Sequence, residues 1–348
     1  MGLFSKKPKS FTVKIQSTGD EIEVDSKTTI LQAALDKGLA YPHRCRVGSC
    51  TSCKTKLVDG KIKELTDTAY VLSMEDIQGG AILACQSLPK CDLTIDVQLG
   101  EAQTEEFKGT ITRLDTLTHD ILGVTVALDR SIYYTAGQYA DLSYEGLERP
   151  RNYSFAARSL PQGNREVRFH IRKVPGGEFT EWLFAKDRIG TELTVGGPFG
   201  DFQLKPATNP AVFIAGGSGM APILSILESA GGDDLKRDAI YLFGARTQAD
   251  LYALDEVKNA TRKWQGKFEF IPVLSHEPEE SDWPGRRGLV TDVINDIANL
   301  SEHHAYLCGP PGMIDAALDH LKASGIQDEN IYFDRFTDSS HLLAGAPR

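Results

Sequence analysis

Apolar and polar positions alternate at the start of the chain. Phe11-Thr-Val-Lys-Ile and Glu21-Ile-Glu-Val each keep a period of two, and Gly19-Asp20 falls between them, which predicts a hairpin. Thr29, followed by Ile-Leu-Gln-Ala-Ala-Leu-Asp-Lys-Gly, predicts a capped helix with a glycine stop. Strands are expected around Thr55-Lys-Leu-Val and Asp92-Leu-Thr-Ile-Asp-Val, and a polar, acidic linker from Gly100 to Phe107. Beyond it Thr110-Ile-Thr-Arg-Leu, Leu122 to Leu128 and Val167 to Arg172 alternate in short runs split by turns. That is the pattern of a small antiparallel β-barrel, with one helix at Phe179 to Phe184. From Asn209 the pattern changes again. Ala211-Val-Phe-Ile-Ala is a nearly continuous apolar run, expected as a central parallel strand, and it feeds a glycine-rich loop and a helix from Ile223. Further strands are expected at 239–246, 268–274 and 304–309, with a helix after each of the last two. The fold class is therefore multidomain: an α+β unit at 10–99, a β-barrel at 108–206, and an α/β parallel-sheet unit at 207–337.

Composition agrees with this division. At 348 residues the chain suits two or three domains, and 41% hydrophobic with 25% charged residues is ordinary for a globular protein. A net charge of −10 disfavours nucleic acid as a partner and favours a partner with a basic docking face. No apolar run is long enough to span a bilayer. The opening Met1 to Lys9 is too short in its apolar part for a signal peptide, and Lys6 breaks the myristoylation pattern. A cytoplasmic monomer is expected, reaching the inner membrane only through a partner.

Cysteine spacing brings in the first chemistry. Cys45, Cys50 and Cys53 form C-x4-C-x2-C, and Cys85 follows in Leu-Ala-Cys-Gln. This is plant-type [2Fe-2S] ligand spacing, and Gly48 with Ser49, Thr51 and Ser52 leaves room for a backbone curled around a cluster. Zinc sites of four cysteines usually show two close pairs, and only one is present. A disulfide framework would leave Cys91 and Cys308 as an odd remainder in a chain of this length.

Three further stretches are suited to cofactors. Arg151-Asn152-Tyr153-Ser154 offers a forked cation, an aromatic face and a hydroxyl, although alone it reads equally as a core tyrosine beside a solvated arginine. Pro175-Gly176-Gly177-Glu-Phe-Thr180 opens a helix with glycines, a phosphate seat or simply a capped surface helix. Gly216-Gly217-Ser218-Gly219-Met220-Ala-Pro222 joins strand to helix and turns amides towards a pyrophosphate, with Pro222 where the full fingerprint has its last glycine. Met220 also breaks a nucleophile-elbow reading around Ser218. Cys308-Gly309-Pro310-Pro-Gly-Met ends the fourth strand, and by itself Cys308 reads as a buried structural thiol.

In this order the motifs resemble the ferredoxin–NADP reductase superfamily fused behind a plant-type ferredoxin. Ala136-Gly-Gln-Tyr and His170-Ile171-Arg-Lys-Val174 fit the same pattern. Six stretches, VGSCTSCK, AGQYAD, VPGGEFTEWLF, FGARTQADLYALDE, FEFIPVLS and YLCGPPGMIDAA, resemble the reductase components of bacterial multicomponent oxygenases. The resemblance covers Phe11 to about Thr337. It implies FAD rather than FMN, and NADH rather than NADPH. Cys45 and Cys50 would hold one iron, and Cys53 and Cys85 the other. Tyr153 would stack on the isoalloxazine, Ser154 would lie near flavin N5, Thr180 and the glycines before it would seat the flavin pyrophosphate, and Cys308 would lie beside the nicotinamide. The implied partner is a terminal oxygenase, in the most similar members a membrane-embedded di-iron hydroxylase. Two other readings use the same modules: a relay to a non-oxygenase partner of the deoxysugar dehydratase type, and a non-enzymatic iron–sulfur redox sensor. On nucleotide choice the residues themselves leave two directions open, because Asp250 would repel a 2′-phosphate and Arg246 would welcome one.

Overall fold

The computed structural model describes residues 9–43, 48, 51–68, 71–100 and 105–337. They fall into two compact units, one within residues 9–100 and the other spanning Glu105–Phe336.

In the first unit β1 (Ser10–Ile15) and β2 (Glu21–Asp25) form the expected antiparallel hairpin, turning at Gly19 with φ +78°. Thr29 caps α1 (Ile30–Asp36) by accepting from the Gln32 amide, and the helix buries Ile30, Leu31 and Ala34. Next come β3 (Lys54–Asp59), β4 (Ile62–Glu64), α2 (Met74–Gln78), β5 (Ala81–Leu83), β6 (Ser87–Pro89) and β7 (Leu93–Asp96). The main sheet runs β2-β1-β7-β3-β5, with β4 and β6 as a separate ribbon. Its core is the apolar half of each alternation, Val13, Ile15, Ile22, Val24, Leu93 and Ile95.

The second unit opens with β8 (Glu106–Thr116), β9 (Ile121–Ile132), β10 (Tyr139–Ser143), β11 (Arg151–Ser154), β12 (Asn164–Arg172), α3 (Glu178–Phe184) and β13 (Glu192–Phe199). The strands order as β11-β10-β13-β8-β9-β12, and a single bridge between Phe155 and Phe169 joins the two ends into a barrel. A parallel sheet follows, built from β14 (Ala211–Gly216), α4 (Met220–Ser229), β15 (Ala239–Ala245), α5 (Leu254–Thr261), β16 (Phe268–Leu274), β17 (Arg286–Arg287), β18 (His304–Gly309), α6 (Pro311–Ala323) and β19 (Ile331–Arg335). Its order is β17-β16-β15-β14-β18-β19. Phe213, Tyr241 and Tyr306 face Ile223 and Leu227 of α4, while Val212, Leu242 and Leu307 face Ile314 and Leu321 of α6. Both faces are covered, which is why β14 reads as an unbroken apolar run.

Three expectations change. The segment after β16 forms no α-helix: Pro278, Pro284, Gly285 and Gly288 interrupt it, and residues Val290–Asp296 settle into 3-10 turns. The helix expected from Ile223 begins three residues earlier, at Met220, so that Pro222 is the third residue of α4. β19 was not foreseen, because Asp334 and Arg335 hide the pattern of an edge strand. Among the described residues no helix is long and apolar enough to cross a membrane.

Phe155 is fully buried and stacks on Tyr134 at 3.9 Å between ring centroids. Phe155→Ala opens a cavity at the bridge that joins the end of β11 to β12, and is expected to destabilise the barrel by about 3–5 kcal/mol. Earlier flavin release in a thermal scan, with the cluster absorbance unmoved, is the measurement.

Candidate functional site: a cluster seat and a two-sided crevice

Cys53 immediately precedes β3, and Cys85 lies in the turn that ends β5. Antiparallel pairing of Lys54 with Leu83 sets these two positions beside each other, and the Ala84 amide donates to the Cys53 carbonyl at 3.1 Å. Both cysteines are buried, and the described cysteines form no disulfide. Gly48 has φ +77°, and a Cβ there would stand 2.7 Å from Gln86 Cγ, so the loop approaches the Cys85 turn as only glycine allows. Cys45 and Cys50 lie outside the described residues. Thiol donors in a cradle this close suit an iron–sulfur cluster.

The barrel supplies one wall of the crevice. Tyr153 packs its ring against Phe179 at 5.3 Å. Arg151 is held over α3 by the Arg149 carbonyl at 2.6 Å and by Glu178 at 3.5 Å. Asn152 is turned the other way and donates to Asp141 on β10. Ile171 points into the barrel core, and Val174 is tied on both backbone groups to Thr180, at 3.1 Å each. The Thr180 hydroxyl therefore shapes the loop. Gly176 has φ +71° and open space where a side chain would project, so this turn keeps a free face for a phosphate. His170 is buried on the face of β12 opposite the core, edge-on to Tyr252 at 5.3 Å, and neither ring nitrogen has a hydrogen-bond partner among the described residues. Burial and nearby Arg168 bring its pKa down to about 3, so it is neutral.

The parallel sheet supplies the other wall. The strand order reverses between β14 and β18, and both strands end in glycines there, at the usual place for a nucleotide. These glycines serve different ends. A Cβ on Gly219 would meet the Cys308 carbonyl at 2.1 Å, and one on Gly216 would meet Met313 Sδ at 2.7 Å, so both are packing glycines. A Cβ on Gly217, whose φ is +56°, would have only Arg172 within 4 Å, so this residue leaves space on the crevice side while its carbonyl accepts from Tyr252 at 3.0 Å. Gly309 takes φ +148° against Gly216, and Pro310 is the N-cap of α6. Met220 is fully buried, its sulfur accepting from Tyr241, so only its backbone is available to a ligand. Cys308 is fully buried and held as a neutral thiol, its pKa raised by burial and then by Asp334. Arg246 and Asp250, beyond the end of β15, bond to each other at 3.0 Å.

One residue that sequence reasoning missed stands between the walls. Asp334 on β19 is the register partner of Cys308, and the Ser154 hydroxyl lies near enough to its carboxyl to favour the charged form. Burial and then facing Asp201 push its carboxyl up to about 7, against the pull of Ser154. Its only sequence signal was an acidic residue inside an apolar run, Ile-Tyr-Phe-Asp.

A cluster seat, a flavin barrel and a nucleotide sheet in one chain define an iron–sulfur flavoprotein reductase. Family models agree in the same order: a 2Fe-2S iron–sulfur cluster binding domain matches residues 13–90, an oxidoreductase FAD-binding domain 108–204, and an oxidoreductase NAD-binding domain 213–319. The chain is 43% identical to the xylene/toluene monooxygenase electron transfer component of Pseudomonas putida, over 96% of each chain. It is 34% identical to the reductase component of propane 2-monooxygenase from Mycolicibacterium goodii, over 94% of this chain and 97% of that one. The crystal structure of an Amycolatopsis cytochrome P450 reductase superposes with a TM-score of 0.69 at 30% identity, covering 94% of this chain and 99% of the other. The chain belongs to the reductase components of bacterial multicomponent oxygenases, oxidoreductases that carry a [2Fe-2S] cluster, FAD and an NAD-binding domain and work with an oxygenase partner.

Cys85→Ser is expected to remove the cluster bands from the visible spectrum and to leave flavin reduction by NADH within about twofold, since the two seats lie in separate compact units. Retention of a full cluster spectrum would take Cys85 out of the ligand set.

Proposed function

We propose that this reductase oxidises NADH and delivers the electrons singly through its cluster to the hydroxylase of a hydrocarbon monooxygenase. We further propose modules at 10–99, 108–206 and 207–337, with Cys45, Cys50, Cys53 and Cys85 holding the cluster. The observation that carries the reading is the meeting of Ser154, Asp334 and Cys308 at the reversal of strand order. The chemistry that FAD supplies when bound is acceptance of a hydride's two electrons and their release one at a time. The chain's own residues do the rest. Tyr153 offers a flat face, Ser154 and Asp334 hold a proton, and Cys308 gives the nicotinamide ring an uncharged neighbour. Arg151, the Gly176–Gly177 turn and the open side of Gly217 receive phosphates.

The resemblance to the xylene/toluene monooxygenase component supports a monooxygenase as partner; we infer that this partner is a membrane-embedded di-iron hydroxylase and that the reductase is a cytoplasmic monomer. Charge qualifies the expectation of a basic docking face. Residues 1–100 hold 13 Lys or Arg and 12 Asp or Glu, and residues 101–348 hold 25 and 36, so the acidity lies outside the cluster-bearing part. A docking face governed by net attraction is therefore not required of the partner, and its association is expected to respond weakly to salt.

The test is the anaerobic visible spectrum before and after NADH. Bleaching of both flavin and cluster bands is expected, and flavin bleaching beside an oxidised cluster would overturn the relay. NADH should exceed NADPH in kcat/KM by about tenfold or more, or ~1.4 kcal/mol. Asp334 is neutral below pH about 7 and ionised above it. A carboxylate there favours the positive charge left on a nicotinamide that has lost hydride. Flavin reduction should therefore quicken through pH 7 by roughly tenfold, one charge over several ångströms in protein being worth about 1–2 kcal/mol. In Asp334→Asn, stopped-flow rates should lose this rise.

A further inference from the structure

The turn between β8 and β9 carries two residues that no motif singled out, His119 and Asp120. They meet the end of β15 from the barrel side. Arg246 Nη2 donates to Asp120 Oδ2 at 3.0 Å and to Asp250 Oδ1 at 3.0 Å, with His119 Nε2 3.3 Å away. Asp120 Oδ2 also accepts from Arg172 Nε at 3.0 Å, and its Oδ1 accepts from Thr118 at 2.9 Å. Asp250 is fixed in turn by the Thr247 amide and hydroxyl, at 3.0 and 3.1 Å. Both carboxylates are nearly buried, with side-chain exposures of 16% and 12%, whereas Arg246 keeps 43%.

In a sheet of this order the residues at the end of the second strand face the adenosine ribose of a dinucleotide, and a cation there seats a 2′-phosphate. Arg246 is such a cation, but its Nη2 is already shared between two largely buried carboxylates. A 2′-phosphate would have to take the guanidinium from both and then face them. With either carboxylate removed, the local charge becomes more positive by one and Arg246 Nη2 loses one of its two carboxylate acceptors.

We propose that Asp120, a residue of the flavin barrel, is a specificity-determining residue for the nicotinamide nucleotide, excluding NADPH by holding Arg246 jointly with Asp250. This rests on the NADH reading above. Asp120 acts through Arg246 and needs no contact with the nucleotide.

The test uses the full holoenzyme with ferricyanide as acceptor, so that neither cluster nor partner limits the rate. Asp120→Asn keeps the shape and removes the charge. It is expected to raise the NADPH:NADH ratio of kcat/KM by about tenfold, ~1.4 kcal/mol. It should also tighten inhibition by adenosine 2′-monophosphate by a similar factor, with adenosine 5′-monophosphate unmoved. Adding Arg246→Gln to Asp120→Asn should cancel the gain. An equal loss for both nucleotides would mean that Asp120 only fastens the turn to the sheet, and would overturn the proposal. An unmoved ratio in Asp120→Asn beside a moved one in Asp250→Asn would also overturn it while leaving the NADH reading intact. If the wild-type enzyme uses both nucleotides equally, the NADH reading fails. Asp120 is then judged on whether its variant moves the ratio.

Discussion

The reductase unit depends on one close approach, Gly219 against the carbonyl of Cys308. The loop after β14 can lie against the end of β18 only because Gly219 carries no Cβ, which would stand 2.1 Å from that carbonyl, far inside contact distance. That approach brings the open Gly217 to the head of the crevice and sets Cys308 under it. β18 in turn pairs with β19 in parallel, and this register brings Asp334 level with the thiol. The glycine-rich loop is thus first a packing device, and its capacity for phosphate follows from the one glycine left open.

Much of this was legible along the chain, for reasons that differ by element. Alternating strands show themselves because one face is buried, and β14 shows itself because both are. The cysteine spacing is legible because three ligands come from one loop. Tyr153, Ser154 and Cys308 sit in short motifs whose residue types are uncommon together. Asp334 and Asp120 were not legible. Each acts through a partner more than a hundred residues away, Ser154 for the first and Arg246 for the second, and no local pattern records such a meeting. The individual glycines were visible but their division of labour was not, since it depends on what lies across from each.

The motif residues also separate into those that face the crevice and those that build it. Ile171, Thr180, Met220 and Asn152 belong to the matched stretches, yet their side chains are spent on the barrel core, the backbone of Val174, the sheet core and Asp141. A motif marks a constrained place. The constraint is often the backbone path, with the side chain serving to hold that path.

Charge gives the arrangement its direction. The crevice keeps its centre nearly neutral at the point where hydride would pass: His170 is uncharged, Cys308 stays a thiol, and Asp334 is poised near neutrality. Fixed charges are displaced to the rim, where Arg151 meets Glu178 and Arg246 meets Asp120 and Asp250. Such a division is favourable for a site that binds anionic phosphates at its edges and lets a cationic ring form at its middle. A fixed positive charge at the centre would oppose hydride departure. A fixed negative one would disfavour a reduced flavin, whereas a carboxyl that titrates near pH 7 can adjust to either demand.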